Sequence, residues 1–205
     1  TRPAKEKNTQ LDLGWVYTGE KTNANLSLYY ANVNDFILRK PVGEYGNVDA
    51  RLYGFEAEIT RTVSPLWTLG ASLAYTRGDD RTNDAPLPQI APLEANLTAK
   101  YSHKKAEANA VWRLVSKQNR YHKGYGSVTG TDYGPTGGFG ILSLSLAYRP
   151  DENLTFSLGV DNLFNKTYAE FVNYSEAAIP ALGISAGGHI TEPGRTLWLK
   201  GSYKF

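Results

Sequence analysis

Few groups in this chain are able to do chemistry, and their types narrow the field at once. Its 205 residues include no Cys and no Met, so disulfide frameworks, cysteine nucleophiles and sulfur ligation of a metal are ruled out within it. Three His remain. His103 sits beside Lys104 and Lys105 in a tight turn, where a solvated imidazole is expected. His122 lies in the basic run Lys117-Gln118-Asn119-Arg120-Tyr121-His122-Lys123, which has the charge to hold lipopolysaccharide phosphates or attract an anionic ligand, or merely to solvate a loop rim. His189, in Gly187-Gly188-His189, is a weak candidate metal ligand on a long loop, as is His122, because neither has a partner at ligand spacing. A Ser-His-acid hydrolase would need three groups gathered from separate strands, and no spacing supports one. Neither an enzyme nor a bound cofactor is expected.

Other motif-like strings are discounted on context. Asn25-Leu26-Ser27, Asn96-Leu97-Thr98 and Asn153-Leu154-Thr155 match a glycosylation acceptor but fall in or at the start of strands. Gly124-Tyr125-Gly126 with Gly130 opens no helix and reads as a flexible loop. A net charge of +2 gives no reason to expect a nucleic-acid partner.

The elements that position these groups are strands. No window approaches the roughly 18 to 20 consecutive apolar residues of a membrane helix, but apolar residues recur with period two. The alternating sets are Leu11 to Tyr17, Ala24 to Tyr30, Phe55 to Ile59, Trp67 to Tyr75, Leu93 to Tyr101, Ala108 to Leu114, Leu142 to Tyr148, Leu154 to Val160 and Leu197 to Phe205. That makes about nine strands, each long enough for the roughly 9 to 11 residues of a tilted membrane strand. Val111 and Val115 blur the sixth. A soluble β-sandwich also alternates; the connections favour a barrel. Tight turns at Lys21, Ser64-Pro65, Ser102 to Lys105 and Pro150 to Asn153 alternate with long segments at Pro41 to Asp49, Asp79 to Pro92, Tyr121 to Gly137 and Ala169 to Glu192. All short turns then fall at one end of the sheet, as in outer-membrane barrels. Aromatics near strand ends, Tyr17, Tyr75, Tyr101, Tyr148 and Phe205, fit interfacial girdles. Asp12, Glu56, Glu58, Glu94, Lys100, Glu107, Arg113, Asp161 and Lys200 share the polar face, which reads as the lumen. The expected fold is an all-β, antiparallel up-and-down transmembrane barrel wall.

Four segments carry a family resemblance. Val160-Asp161-Asn162-Leu163-Phe164-Asn165-Lys166-Thr167-Tyr168 and Glu192-Pro193-Gly194-Arg195-Thr196, with Asp35-Phe36-Ile37 and Tyr53-Gly54-Phe55-Glu56-Ala57-Glu58, resemble the C-terminal part of TonB-dependent outer-membrane receptors. Leu87 to Ala95, Gln118-Asn119-Arg120, Gly126 to Gly140 and Tyr168-Ala169-Glu170 are similar to the copper-receptor branch. The resemblance implies that residues 1–205 form about the last nine strands of a plugged barrel of about 22, the plug and early strands lying outside this chain, which starts at Thr1 without an initiator Met. It implies active uptake of a metal or metal complex, copper first, with a siderophore or other nutrient receptor as the alternative and a passive porin or adhesin as a remoter one. Glu56, Glu58, Glu94, Lys100, Arg113, Asp161 and Lys200 would contact the plug. Copper would be the transported ligand, bound outside this chain, since Cu(I) favours the soft sulfur ligands missing here. The implied partners are outer-membrane lipid and lipopolysaccharide, the plug and remaining strands, the TonB system, and the barrel-assembly machinery. Tyr203 and Phe205 resemble the terminal signal that this machinery reads, and the implied location is the Gram-negative outer membrane.

Overall fold

In the computed structural model, residues 3–127, 130–175 and 188–205 are described. The strands are β1 (Lys7–Thr18), β2 (Thr22–Arg39), β3 (Tyr45–Ser64), β4 (Trp67–Asp80), β5 (Ala85–Pro86), β6 (Glu94–His103), β7 (Ala106–Val115), β8 (Phe139–Tyr148), β9 (Leu154–Asp161), β10 (Ala169–Ser175), β11 (Gly188–Thr191) and β12 (Thr196–Tyr203). Among the described residues they form a ten-stranded antiparallel sheet in the order β1-β2-β3-β4-β6-β7-β8-β9-β12, with β5 beside β4, and a separate β10-β11 pair. The nine alternating segments therefore become nine neighbouring staves in sequence order.

Register joins the apolar residues into one belt. Leu13 faces Leu28, Leu28 faces Phe55, Phe55 faces Tyr75, Ala71 faces Leu97, Leu97 faces Trp112 and Trp112 faces Leu142. The belt continues through Leu146, Leu158 and Leu199. Most of these side chains are exposed and the rest half-buried, Leu199 at 80% and Leu13 at 64%, so the face is an outer surface needing an apolar solvent. On β3 the outward residues run Arg51, Tyr53, Phe55, Ala57, Ile59, Arg61. Two arginines ten residues apart lie about 33 Å along the strand at roughly 3.3 Å per residue. At a tilt of about 40° this is about 25 Å of height, the apolar band of an outer-membrane barrel.

Above the belt, at the end of the long connections, the two faces exchange polarity. A bulge between Val33 and Phe36 puts one extra residue in β2, with Asp35 at φ 59°, and turns Phe36 and Leu38 inward. Val33, Ala50 and Leu87 form a buried inward cluster with Phe36, Leu52 and Ile90 packed against it. The outward positions here are Arg39, Arg51 and Arg77 instead. The rule that the polar face lines the lumen therefore holds only within the belt. Higher up, folded-in connections supply the inward face with an apolar partner.

Three long segments differ from expectation. Strands β2 and β3 run on to Arg39 and from Tyr45, leaving Lys40 to Glu44 with a one-turn helix (Pro41–Gly43) where Pro41 to Asp49 read as a loop. The Asn47 amide, donating to Asp35 O at 2.6 Å, helps hold that extension. Asp79 and Asp80 end β4 and pair with β5, so that loop is shorter too. Within Ala169 to Glu192 lies the β10-β11 pair, while 176–187 are outside the described residues, as are Thr1, Arg2 and the pair 128–129 of the Gly126 to Gly140 run. Val115 is no blur in register either: it faces inward, buried with Phe139 and Ile141 under Tyr168.

Candidate functional site

Within the belt the inward face carries the charges, placed by the same alternation. Asn25 faces Glu58, Ser27 faces Glu56, Ala74 faces Glu94, Asn96 faces Arg113, Thr68 faces Lys100, and Ser157 faces Lys200. Thr196 faces Asp161, so all seven expected inward residues share one surface, but they are not equally engaged. Arg113 forks onto Glu94, Nε to Oε1 at 2.9 Å and Nη2 to Oε2 at 2.6 Å, and its Nη1 and Nη2 also donate to Glu170. Lys100 binds Glu107 at 2.7 Å. Glu58 accepts only a long 3.4 Å bond from Asn25, and Asp161 lines a cleft of about 490 Å³ with Asn96 and Arg113. Bidentate charge-assisted pairs are among the stronger polar contacts, so the Arg113 fork fixes the wall to β10, where Glu170 sits. Glu170 was legible only as part of a motif; nothing in spacing announced it as a partner 57 residues from Arg113.

The C-terminal motifs lock onto each other. Asn162, 3% exposed and at φ 51°, donates through Nδ2 to Lys166 O and Pro193 O, while Lys166 N–H donates to its Oδ1. Asn165 accepts from Arg195 N–H at 2.8 Å, and a Cβ on Gly194 would lie 2.7 Å from that Asn165 oxygen. Asn tolerates the left-handed backbone that most residues avoid, and Gly194 leaves room for the bond, which gives both motifs a structural reason.

The connections β4-β6 and β7-β8 fold together around Asp132. It is 2% exposed and accepts from Gln89 N–H and Nε2 and from His122 N–H at 2.8 to 3.0 Å. Burial pushes this carboxyl above the ordinary aspartate range, against the opposite pull of those donors. Gln118 Nε2 donates to Ile90 O at 3.0 Å. The narrower motif segments, distant in sequence, thus build one loop platform. His122 stacks on Tyr125 at 3.7 Å between ring centroids, and His189 meets Tyr133 edge-on at 5.7 Å. Neither joins a group of three or more His, Cys, Asp or Glu able to hold a metal among the described residues. The basic run is divided: Arg120 reaches Asp79, whereas Lys123 lies over the Tyr133 ring. Beyond β12, Phe205 is fully exposed and packs edge-on against Tyr203 at 5.3 Å.

This arrangement resembles known proteins. The family described as TonB dependent receptor-like, beta-barrel, matches residues 3–163. The Catecholate siderophore receptor Fiu of Escherichia coli (strain K12) is 22% identical over 183 residues, 85% of this chain and 24% of that protein. The Ferric-pyoverdine 358 receptor of Pseudomonas putida is 25% identical over 80% of this chain and 21% of its own length. The solved structure of Copper transporter OprC superposes with a TM-score of 0.93 at 41% identity, covering all of this chain and 32% of the other. This chain therefore spans about a fifth to a third of the length of these relatives.

Proposed function

The chain belongs to the TonB-dependent receptor β-barrel family, and from that premise we propose that residues 1–205 are a C-terminal stretch of barrel wall in an outer-membrane transporter for a metal or metal complex, copper first. The observation that carries the copper reading is the match to Copper transporter OprC, 41% identical over the whole of this chain and including its loop segments. The receptors for ferric complexes match at 22 to 25%. They keep the siderophore alternative alive, since receptors for ferric complexes also align with most of this chain; a passive porin or adhesin stands further off.

The proposed mechanism divides labour. The wall's inward charges, Glu56, Glu58, Lys100, Asp161 and Lys200 with the Glu94–Arg113 pair, face a plug supplied outside residues 1–205. The TonB system would act on that plug, and the barrel-assembly machinery would receive Tyr203 and Phe205. This chain offers no sulfur ligand, so its share in copper uptake is to enclose the path and shape its mouth rather than to bind the ion. Titrating the intact receptor with Cu(I) and with a ferric catecholate, beside uptake of each by cells expressing it, tests the reading. Tight stoichiometric copper binding with copper-dependent uptake is expected. Tight binding of the ferric complex alone would replace copper by a siderophore, and uptake unaffected by loss of TonB would favour the passive barrel.

A further inference from the structure

Arg51 and Arg77, on the outer face above the belt, belong to no function described so far. Arg51 and Arg77 occupy the same face as Tyr53 and Tyr75, one position further toward the long connections. Arg51 lies 5.8 Å from the Tyr53 ring centroid, and Tyr53 stacks with Tyr30 at 6.4 Å, so the cations rise directly from an outward aromatic girdle. Arg120 arrives from the β7-β8 connection to the same spot. All three converge on Asp79: Arg51 Nη2 at 2.9 Å, Arg120 Nη2 at 2.6 Å and Arg77 Nε at 3.4 Å. Their side chains are 38 to 40% exposed and that of Asp79 only 16%.

Charge and donor count leave this cluster incomplete. Three guanidiniums bring five N–H donors each, whereas one carboxylate offers about four acceptor positions. Arg51 Nε is buried without a hydrogen-bond partner. The adjoining cleft, about 390 Å³, is lined by these arginines, Arg81 and the aspartates 79, 80 and 84. Four arginines against three aspartates leave the lining one positive charge in surplus, and the Asp80 oxygens are turned to Thr82 and Asn83 N–H groups rather than to the arginines. A guanidinium cluster with surplus donors, just above an aromatic belt, matches a doubly charged phosphate at headgroup height.

We propose that Arg51, Arg77 and Arg120 form a binding site for the phosphorylated glycolipid headgroup of the outer leaflet, lipopolysaccharide, with its acyl chains against Tyr53, Phe55 and Tyr75. The inference rests on the outer-membrane reading above and deepens it by naming the lipid-holding residues. Asp79 competes with the phosphate for the three guanidiniums, and the cleft admits the phosphate from the side. Arg51 and Arg77 lie on the outward face of the wall, away from the lumen.

The test uses the intact receptor in detergent, exchanged into phosphorylated or dephosphorylated lipid A and assayed for bound lipid by native mass spectrometry. Affinity for phosphorylated lipid A should fall about twenty-five-fold in Arg51→Gln/Arg77→Gln, near five-fold per cation removed. Binding of the dephosphorylated lipid should not change. Asp79→Asn should bind at least as tightly as the parent, a direction that misfolding does not produce. The inference is overturned if the parent binds both lipids alike, if the double variant stays within two-fold, if Asp79→Asn binds more weakly than the parent, or if inorganic phosphate displaces the lipid at equal concentration. Heat-modifiable barrel and metal uptake, followed in the same variants, separate the two readings. Normal assembly and uptake with unchanged lipid binding overturns the lipid site alone, whereas failure of the parent to insert as a barrel overturns both.

Discussion

Arg113→Met removes the guanidinium but keeps a stem of similar length, and so isolates the fork that joins the wall to β10. Each arm is charge-assisted, and hydrogen bonds to charged groups contribute about 1.5 to 3 kcal/mol net. The side chains of Arg113, Glu94 and Glu170 are 30, 32 and 21% exposed, which places the value near the lower end. The Glu170 arm then holds the β10 segment with about 1.5 kcal/mol, a factor of roughly ten in its opening equilibrium. Amide hydrogen exchange by mass spectrometry on the intact barrel reads this directly. Peptides covering 169–175 should exchange about tenfold faster in Arg113→Met and in Glu170→Gln, and the double variant should add little because one interaction is lost twice. Raising salt to about 1 M should narrow the gap by screening. Glu58→Gln, which touches only Asn25, should leave the segment alone. Acceleration below two-fold in Arg113→Met, or an equal effect in the Glu58 control, would refute the argument that this fork positions β10.

Asn162→Ala removes three hydrogen bonds at a buried left-handed position; we expect local destabilisation of about 2 to 4 kcal/mol, seen as new proteolytic cleavage between 162 and 168 with β8 and β9 still protected. Because burial raises the folded-state value of Asp132, its contribution is full below the ordinary aspartate range and is lost as pH rises through the raised value. Intrinsic-rate-corrected exchange at the Gln89 and His122 amides should therefore quicken as pH rises through that window and lose this slope in Asp132→Asn; a clamp that tightens with rising pH contradicts the assignment. Phe205→Ala should lower the amount of heat-modifiable receptor in the outer membrane, and undiminished levels would count against an assembly role.

The staves were readable because period two is a local property: Leu28 and Leu97 declare their face whatever lies beside them. The short turns were readable for the same reason, Pro65 and Lys104 each marking a break between apolar sets. The inward set from Glu56 to Lys200 followed from parity alone. Partners across the sheet or from loops were not readable, since nothing near Arg113 names Glu170 and nothing near Gln89 names Asp132. The inward turn of Phe36 and Leu38 was not readable, because a single extra residue at Asp35 reverses every later side chain in β2. Its one signal was the apolar run Phe36-Ile37-Leu38 directly after Asn34-Asp35, a place where strict alternation fails.

Arg51 and Arg61 bound the apolar stretch of β3 at both ends. Sliding the wall by one residue pair, about 5 Å of height for a tilted strand, would draw one of them into hydrocarbon whichever way it moved. Basic residues cost about 2 to 4 kcal/mol at the midplane and progressively less toward the surface. A force along the barrel axis therefore meets a restoring force in either direction, and traction on anything seated inside would be spent on that object rather than on dragging the wall through the bilayer.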